Sequence, residues 1–365
     1  MEECHVESYK SIVDLRCGLK PGLNILIGKN GAGKTNFLRF LGKTLDWRSH
    51  FFADEKTALS FQVGEGKMKY VQPVSTSAED DWQVEEGNLD IMDLVEFRFI
   101  PQRYDEKLPV LTHSIDFETS NVSEVYLSLR KGEIPWFIKS IFSELVLLAS
   151  EKAREGANGD ELRRFLEGAV KEIVRDLEVV SDFSPIAAVR LSDELRVSEG
   201  RLNNSLRVAG LNLEFQVGDR WFDFGDLSDG TQRIFLLVAE MELTPSVRSL
   251  RDKQGLLPEG VKETIFLIEE PELGVHPHQL HRIMEYLKER SADAQLVIST
   301  HSPMVLNFLD REELDRLLIC MFDPAKGTQI RNLSPDEIKD ALHYMGENEL
   351  FLSDYWVYSD LEPEF

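Results

Sequence analysis

Leu23-Asn24-Ile25-Leu26-Ile27-Gly28-Lys29-Asn30-Gly31-Ala32-Gly33-Lys34-Thr35 holds the key to the chain. A short, mostly apolar run enters a glycine-rich turn that fits G-x-x-x-x-G-K-[ST]. Beyond it Leu38, Leu41 and Leu45 recur at helical spacing. Strand, glycine loop and helix in that order open an α/β fold. The chemistry served by the pattern is phosphate binding. Glycines let the backbone wind tightly enough for successive N–H groups to converge on phosphate oxygens, and the helix N-terminus adds its positive dipole end. The binding segment is then Asn30, Gly31, Ala32, Gly33, Lys34, Thr35 and Asn36. Lys34 is expected to reach the β- and γ-phosphates and the Thr35 hydroxyl to ligate Mg²⁺. A glycine turn without a ligand is the alternative, and the flanking strand and helix weigh against it.

Three further stretches bear on the same chemistry. Thr264–Glu272 reads Thr-Ile-Phe-Leu-Ile-Glu-Glu-Pro-Glu, an apolar strand ending in paired carboxylates at the edge where α/β sheets bind ligands. Glu269 is expected to help hold Mg²⁺, directly or through water, and Glu270 to orient or deprotonate an attacking water. Leu296–Pro303, Leu-Val-Ile-Ser-Thr-His-Ser-Pro, is another buried strand and delivers His301 at its end. A helical stretch from Pro277 to Arg290 joins the two strands, so 264–268 and 295–299 form a βαβ unit of a parallel sheet. His301 therefore belongs beside the γ-phosphate. Leu227-Ser228-Asp229-Gly230-Thr231-Gln232-Arg233 precedes an apolar helix that Ser228 can cap. Its free N–H groups form an anion site, though by itself the cap suffices to explain the residues.

The remainder sets the organisation. Residues 5–15 resemble a first strand. Leu59, Phe61 and Val63 alternate, as do Val95, Phe97 and Phe99, which reads as antiparallel strands with a solvated face. Between them residues 75–96 carry eight acids and neither Lys nor Arg, a solvated hairpin or loop. Residues 136–182 read as a helical hairpin. Ile138, Ile141, Leu145 and Leu148 mark one helix; Leu162, Phe165, Leu166, Ala169, Ile173 and Leu177 mark the other. Residues 211–224 form a β-hairpin turning at Gly218-Asp219. Residues 336–365, with nine acids and one Lys, read as a helix and a frayed acidic tail. His276, His278 and His281 suit a helix start better than a zinc site. Arg98, Arg103 and Lys107 suit an exposed sheet edge better than a nucleic-acid contact.

The chain has 365 residues, 42% hydrophobic and 29% charged, enough for a sizeable core. Its formal charge of −24 is unsuited to wrapping nucleic acid over the general surface and leaves only a local contact. Three scattered cysteines, no basic-apolar leader and apolar runs far short of a membrane span point to a cytoplasmic protein.

The four motifs in this order resemble the ABC-type ATPase family. The glycine loop is similar to its Walker A element, residues 264–270 to Walker B, 227–233 to the signature and His301 to the switch histidine. The opening, His5 to Gly28, resembles the RecF and SMC-like branch. Glu269-Glu270-Pro271-Glu272-Leu273-Gly274-Val275-His276-Pro277 and Ser299-Thr300-His301-Ser302-Pro303 look most like the ATPase domains of overcoming-lysogenisation-defect (OLD) nucleases and related antiphage ATPases.

The resemblance implies a P-loop ABC-type fold with a parallel core sheet, an antiparallel β subdomain and a short helical insertion. Its parts are an N-terminal lobe at 1–135, the insertion at 136–210, a C-terminal lobe at 211–335 and an acidic helix and tail at 336–365. It implies a homodimer sandwiching two ATP molecules, with Ser228 and Gly230 of one copy against the γ-phosphate held by Lys34 of the other. Gln102, in Phe-Ile-Pro-Gln-Arg, fits the glutamine that couples Mg²⁺ to the domain; Gln72 and a plain strand-end role compete. Glu269 stands where the family usually has Asp, and Gly274–Pro277 replaces the usual D-loop aspartate. OLD nucleases carry a nuclease domain after the ATPase. The sixty-four residues after His301 are too few for one, so a separate effector such as a nuclease or toxin is expected. A transporter ATPase is the further alternative, disfavoured by the long interval between Lys34 and Ser228.

Overall fold

The structure, a computed structural model, describes residues 3–45, 57–63, 66–72, 83–86, 95–102, 115–118, 152, 155–175, 179–199, 206–252, 263–347, 350–359 and 361. The chain divides into two compact units. One comprises Met1–Gln102, Glu259–Leu273 and Leu280–Phe365, and the other Arg103–Pro258 and Gly274–Gln279.

The first unit is built on one sheet, of eleven strands among the described residues. They are β1 (Glu3–Tyr9), β2 (Ile12–Gly18), β3 (Leu23–Ile27), β4 (Thr57–Val63), β5 (Gly66–Gln72), β6 (Gln83–Glu86), β7 (Val95–Ile100), β14 (Glu263–Glu269), β15 (Gln295–Thr300), β16 (Leu317–Asp323) and β17 (Gly327–Asn332). The order is β6-β5-β4-β1-β2-β17-β16-β3-β15-β14-β7. From β16 through β3, β15 and β14 to β7 every neighbour is parallel. From β6 to β2 every neighbour is antiparallel. All residues of β3 and β15 are buried, as continuous apolar strands of a sheet covered on both faces should be. Helix α1 (Lys34–Leu45) follows the glycine loop and buries Phe37, Leu38, Phe40 and Leu41. It approaches β7 so closely that a Cβ on Gly42 would lie 2.7 Å from Phe99 Cβ.

Three expectations are corrected here. Residues 5–15 are parts of two strands, β1 and β2, in a hairpin whose turn residue Lys10 takes φ 49°. Residues 95–99 do alternate, but β7 pairs in parallel with β14. Period two reports that one strand exists; its partner is chosen by the fold. Arg98 lies on β7, the last strand of the sheet among the described residues, but is buried rather than exposed; Arg103 and Lys107 fall outside the described residues.

The tail also differs from a frayed end. After α5 (Pro335–Glu347) comes α6 (Leu352–Tyr358). Its Leu352 is buried, and the Ser353 N–H donates to Asn307 Oδ1 at 3.0 Å. Leu361 is buried as well.

The second unit holds two three-stranded antiparallel sheets among the described residues. One is β10 (Arg196–Glu199), β11 (Leu206–Leu211) and β8 (Ile115–Glu118); the other is β13 (Arg220–Asp223), β12 (Leu213–Val217) and β9 (Ile186–Leu191). Strands β12 and β13 turn at Gly218-Asp219, with Gly218 at φ 59°. Helix α2 (Gly159–Arg175) begins in a reciprocal cap between Asn158 and Glu161 and buries Leu162, Leu166 and Val170. Residues 136–151 of the expected hairpin lie outside the described residues. Helix α3 (Asp229–Asp252) packs Phe235 against Phe215 and Phe224, at centroid distances of 4.8 and 5.8 Å. Helix α4 (Pro277–Arg290) connects β14 to its parallel neighbour β15.

Candidate active site

The phosphate loop leaves β3, an interior strand between β16 and β15. A Cβ on Gly28 would sit 2.1 Å from Cys320 O, and one on Gly33 2.1 Å from Thr328 Oγ1. Gly31 and Gly33 take φ 84° and 107°, where side chains are strained. The loop is thus wedged against β16 and β17 and open at Gly31, where an added Cβ would meet nothing within 4 Å. Lys34 is buried. Its Nζ donates to Gly28 O at 2.5 Å and Lys29 O at 3.1 Å. Asn36 donates to Ser11 Oγ at 3.3 Å, and Ser11 in turn bonds Thr328 at 2.8 Å. The turn of the first hairpin therefore braces the loop from behind.

The acidic pair lies at the end of β14. Glu269 is fully buried. Burial pushes its carboxyl above the ordinary range, while the Gln102 N–H, the Arg39 guanidinium and the Thr35 hydroxyl pull the other way. Gln102 N donates to Glu269 Oε2 at 2.9 Å, and Arg39 Nε stands 4.0 Å from the same oxygen. Ser299, opposite Glu269 in register, keeps its Oγ buried with no hydrogen-bond partner among the described residues.

Glu270 adopts φ 40°, costly for a residue with a side chain by about 1–3 kcal/mol. The backbone holds it there: its N–H donates to Ser299 O at 2.8 Å, and its carbonyl accepts from Leu273 N at 3.1 Å. Gln102 Nε2 donates to Glu270 Oε2 at 2.8 Å. His301 Nδ1 lies 3.4 Å from Glu270 Oε1 and 3.5 Å from Glu272 Oε1. Thr35, Gln102, Glu269, Glu270 and His301 thus converge where β7, β14 and β15 end. Gln72 ends β5, on the antiparallel side of the sheet.

Ser228 and Gly230 belong to the other unit. Ser228 caps α3: Thr231 N donates to its Oγ at 3.3 Å, and the two hydroxyls are 2.8 Å apart. A Cβ on Gly230 would come 2.4 Å from Gly274 O. His276 and His278 stack at 5.7 Å near the start of α4, whereas His281 pairs with Glu285 at 3.3 Å.

Nucleotide and Mg²⁺ fit these residues. The glycine cradle is backed by main chain and open on one side, and a buried cation lies within it. Thr35 and Glu269, in mutual contact, offer the hard oxygen donors that Mg²⁺ prefers. Residues missed in the sequence are Arg39, Glu272, Ser11 and Thr328. Arg39 lies one helical turn beyond Thr35, and Glu272 closes the Glu-Glu-Pro-Glu run, so both had a local signal. Ser11 and Thr328 had none.

The model of the AAA_21 family, described as "AAA domain, putative AbiEii toxin, Type IV TA system", matches residues 23–307, from β3 to just beyond His301. The chain belongs to the AAA_21 family. The AAA_21 match makes it a P-loop ATPase domain, and its fold is that of SMC heads. It resembles an SMC head solved with the C-terminal winged-helix domain of ScpA, at 14% identity and TM-score 0.53, over 93% of this chain and 99% of that one. A second SMC head, with an extended coiled coil and bound to the C-terminal domain of Pyrococcus furiosus ScpA, gives 13% identity and TM-score 0.50 over 95% and 99%. Among curated proteins, Uncharacterized protein MJECL43 of Methanocaldococcus jannaschii is 29% identical over 84 residues. That match spans 23% of this chain and about a fifth (21%) of the relative's length. Among the described residues no helix is long and apolar enough to cross a membrane.

Proposed function

We propose that this AAA_21 protein is an ATP-binding and ATP-hydrolysing cytoplasmic module. It works as a homodimer and controls a separately encoded effector, a nuclease or toxin, in phage defence or DNA maintenance. The observation that carries the ATPase reading is the convergence of Gln102, Glu269, Glu270 and His301 beside the Thr35 end of the phosphate loop.

The loop N–H groups and Lys34 bind the β- and γ-phosphates. Thr35, Glu269 and the Gln102 amide oxygen would hold Mg²⁺, which neutralises charge on the phosphates when bound. Glu270 accepts the proton of the attacking water and His301 contacts the γ-phosphate. Ser228 and Gly230, at the N-terminus of α3, close the site of a second copy. The Glu-Glu-Pro-Glu and Ser-Thr-His-Ser-Pro runs support the OLD nuclease ATPases as a functional parallel. The toxin named in the family description favours a defence role. Any nucleic-acid contact is local and strongly weakened by salt.

ATP turnover by the parent and Glu270→Gln tests the chemistry. Loss of a general base should lower kcat by about 10²–10⁴-fold; equal turnover removes Glu270 from its role. A second reading, an ATP-gated clamp with little hydrolysis, is favoured by the Gly274–Pro277 segment in place of the D-loop aspartate. ATP-driven dimerisation with phosphate release at background would select it. Pull-down from a native host identifies the effector.

A further inference from the structure

We propose that Glu272 is the positioning residue for His301: its carboxylate clamps the turn after β15 and thereby presents the histidine to the γ-phosphate. The proposal rests on the ATPase reading above. Its basis is how this carboxylate spends its hydrogen bonds. The Glu272 side chain is 8% exposed, and removing a carboxylate from water is costly unless donors replace the water. Among the described residues no Lys or Arg supplies them. Instead Oε1 accepts from Thr300 Oγ1 at 2.5 Å and from the His301 N–H at 3.2 Å, and lies 3.5 Å from His301 Nδ1. Oε2 is buried and accepts nothing among the described residues. Among the described residues, the hydrogen bonds that Glu272 accepts therefore all come from one two-residue turn.

The turn is also held through Thr300. Thr300 Oγ1 also accepts from the Ser302 N–H at 2.9 Å, so the hydroxyl passes the clamp on to the residue after His301. Half of the ring edge is fixed in the same way. Nδ1 faces two carboxylate oxygens, which leaves the opposite edge of the imidazole, with Nε2, directed away from the pair. Glu270 and Glu272 are two residues apart with Pro271 between them, and both touch His301. The acidic loop is thereby tied to the histidine turn through both carboxylates. A displacement of about 1 Å at a group that contacts the reacting phosphate is enough to cost roughly 10²-fold in rate.

The experiment compares Glu272→Ala, Glu272→Gln and Thr300→Val, each alone and with His301→Ala, in the full chain. Glu272→Ala should lower kcat about 10–100-fold while ATP affinity changes less than about threefold. Glu272→Gln keeps an acceptor oxygen for Thr300 and the His301 N–H and should recover most of the rate. With His301→Ala in place, Glu272→Ala should change kcat less than about twofold, because residues acting through one another are not additive. Equal losses with and without His301 overturn the proposal, as does no loss with Glu272→Ala. Should the alanine variant fail to fold, Thr300→Val carries the same test: a fall in kcat confined to the chain with His301 supports the clamp, and an unchanged rate overturns it. Hydrogen exchange at the His301 amide provides a readout that needs no turnover. Faster exchange there in Glu272→Ala or Thr300→Val, with the rest of the sheet unchanged, supports the clamp; unaltered protection overturns it. A parent that hydrolyses no ATP, together with variants that show this local exchange, would sink the ATPase reading and leave the clamp standing.

Discussion

Gly31 and Gly33 satisfy the same motif for different reasons. Gly31 takes φ 84° over open space, so Gly31→Ala meets backbone strain alone, about 1 kcal/mol or somewhat more. Gly33 adds a steric wall, with Thr328 Oγ1 2.1 Å from where a Cβ would stand. Gly33→Ala should therefore abolish ATP binding and lower the melting temperature, whereas Gly31→Ala keeps the fold. Nucleotide titration with thermal melting separates the two. Lys34→Ala should weaken ATP binding by about 100-fold or more, since a buried cation within the loop is removed. The need for glycine was legible in the spacing of the motif. The wall at Gly33 was not, since Thr328 is nearly three hundred residues away.

The join between β17 and α5 makes the fold sensitive to acid. Arg331 forms two 2.8 Å bonds to the Glu337 carboxylate, which also accepts from Ser334 N at 2.7 Å in a reciprocal cap. The Arg331 guanidinium holds the Glu337 carboxyl at about 2, below its ordinary 4.5. A depressed folded-state value stabilises above the unfolded value and fades as pH falls from about 4.5 towards 2. Both side chains are partly exposed, so solvent screening trims the effect to about 1–2 kcal/mol. Glu337→Gln should lose that much by urea unfolding at pH 7 and little at pH 2.5. In the other unit, Phe235→Ala should cost about 3–5 kcal/mol by opening the Phe215–Phe224–Phe235 cluster. Elements carried by strong periodicity, such as α1, β14 and β15, were legible. The β1–β2 hairpin was not, because Lys10 and Ser11 give no glycine or proline signal at its turn.

A nucleotide-bridged homodimer must bring together two chains that each carry −24. Like charges repel across the surface and salt screens them. Dimerisation of Glu270→Gln driven by ATP should therefore strengthen as salt rises from low to physiological concentration, opposite to a nucleic-acid contact. Light scattering coupled to gel filtration reads the mass; weakening with salt would count against an acidic homodimer. Ser228→Arg should abolish the ATP-dependent mass increase and leave ATP binding to the monomer unchanged, because Ser228 stands in the unit that does not hold Lys34.

Short-range pattern was enough for the glycine loop, the βαβ unit around Glu269 and His301, and the capped helix at Ser228. In the loop and the capped helix the decisive residues lie within a few positions of one another, where backbone geometry fixes their relation; Glu269 and His301 are brought together by a single βαβ unit, whose hand and strand pairing are fixed by its connection. Long-range packing was needed to set β7 parallel to β14, to bury Arg98, and to bring Ser11 and Thr328 behind the loop. It also turned Glu272 onto the His301 turn. These depend on which strand ends become neighbours, and that choice is made by burial of both sheet faces rather than by any one segment.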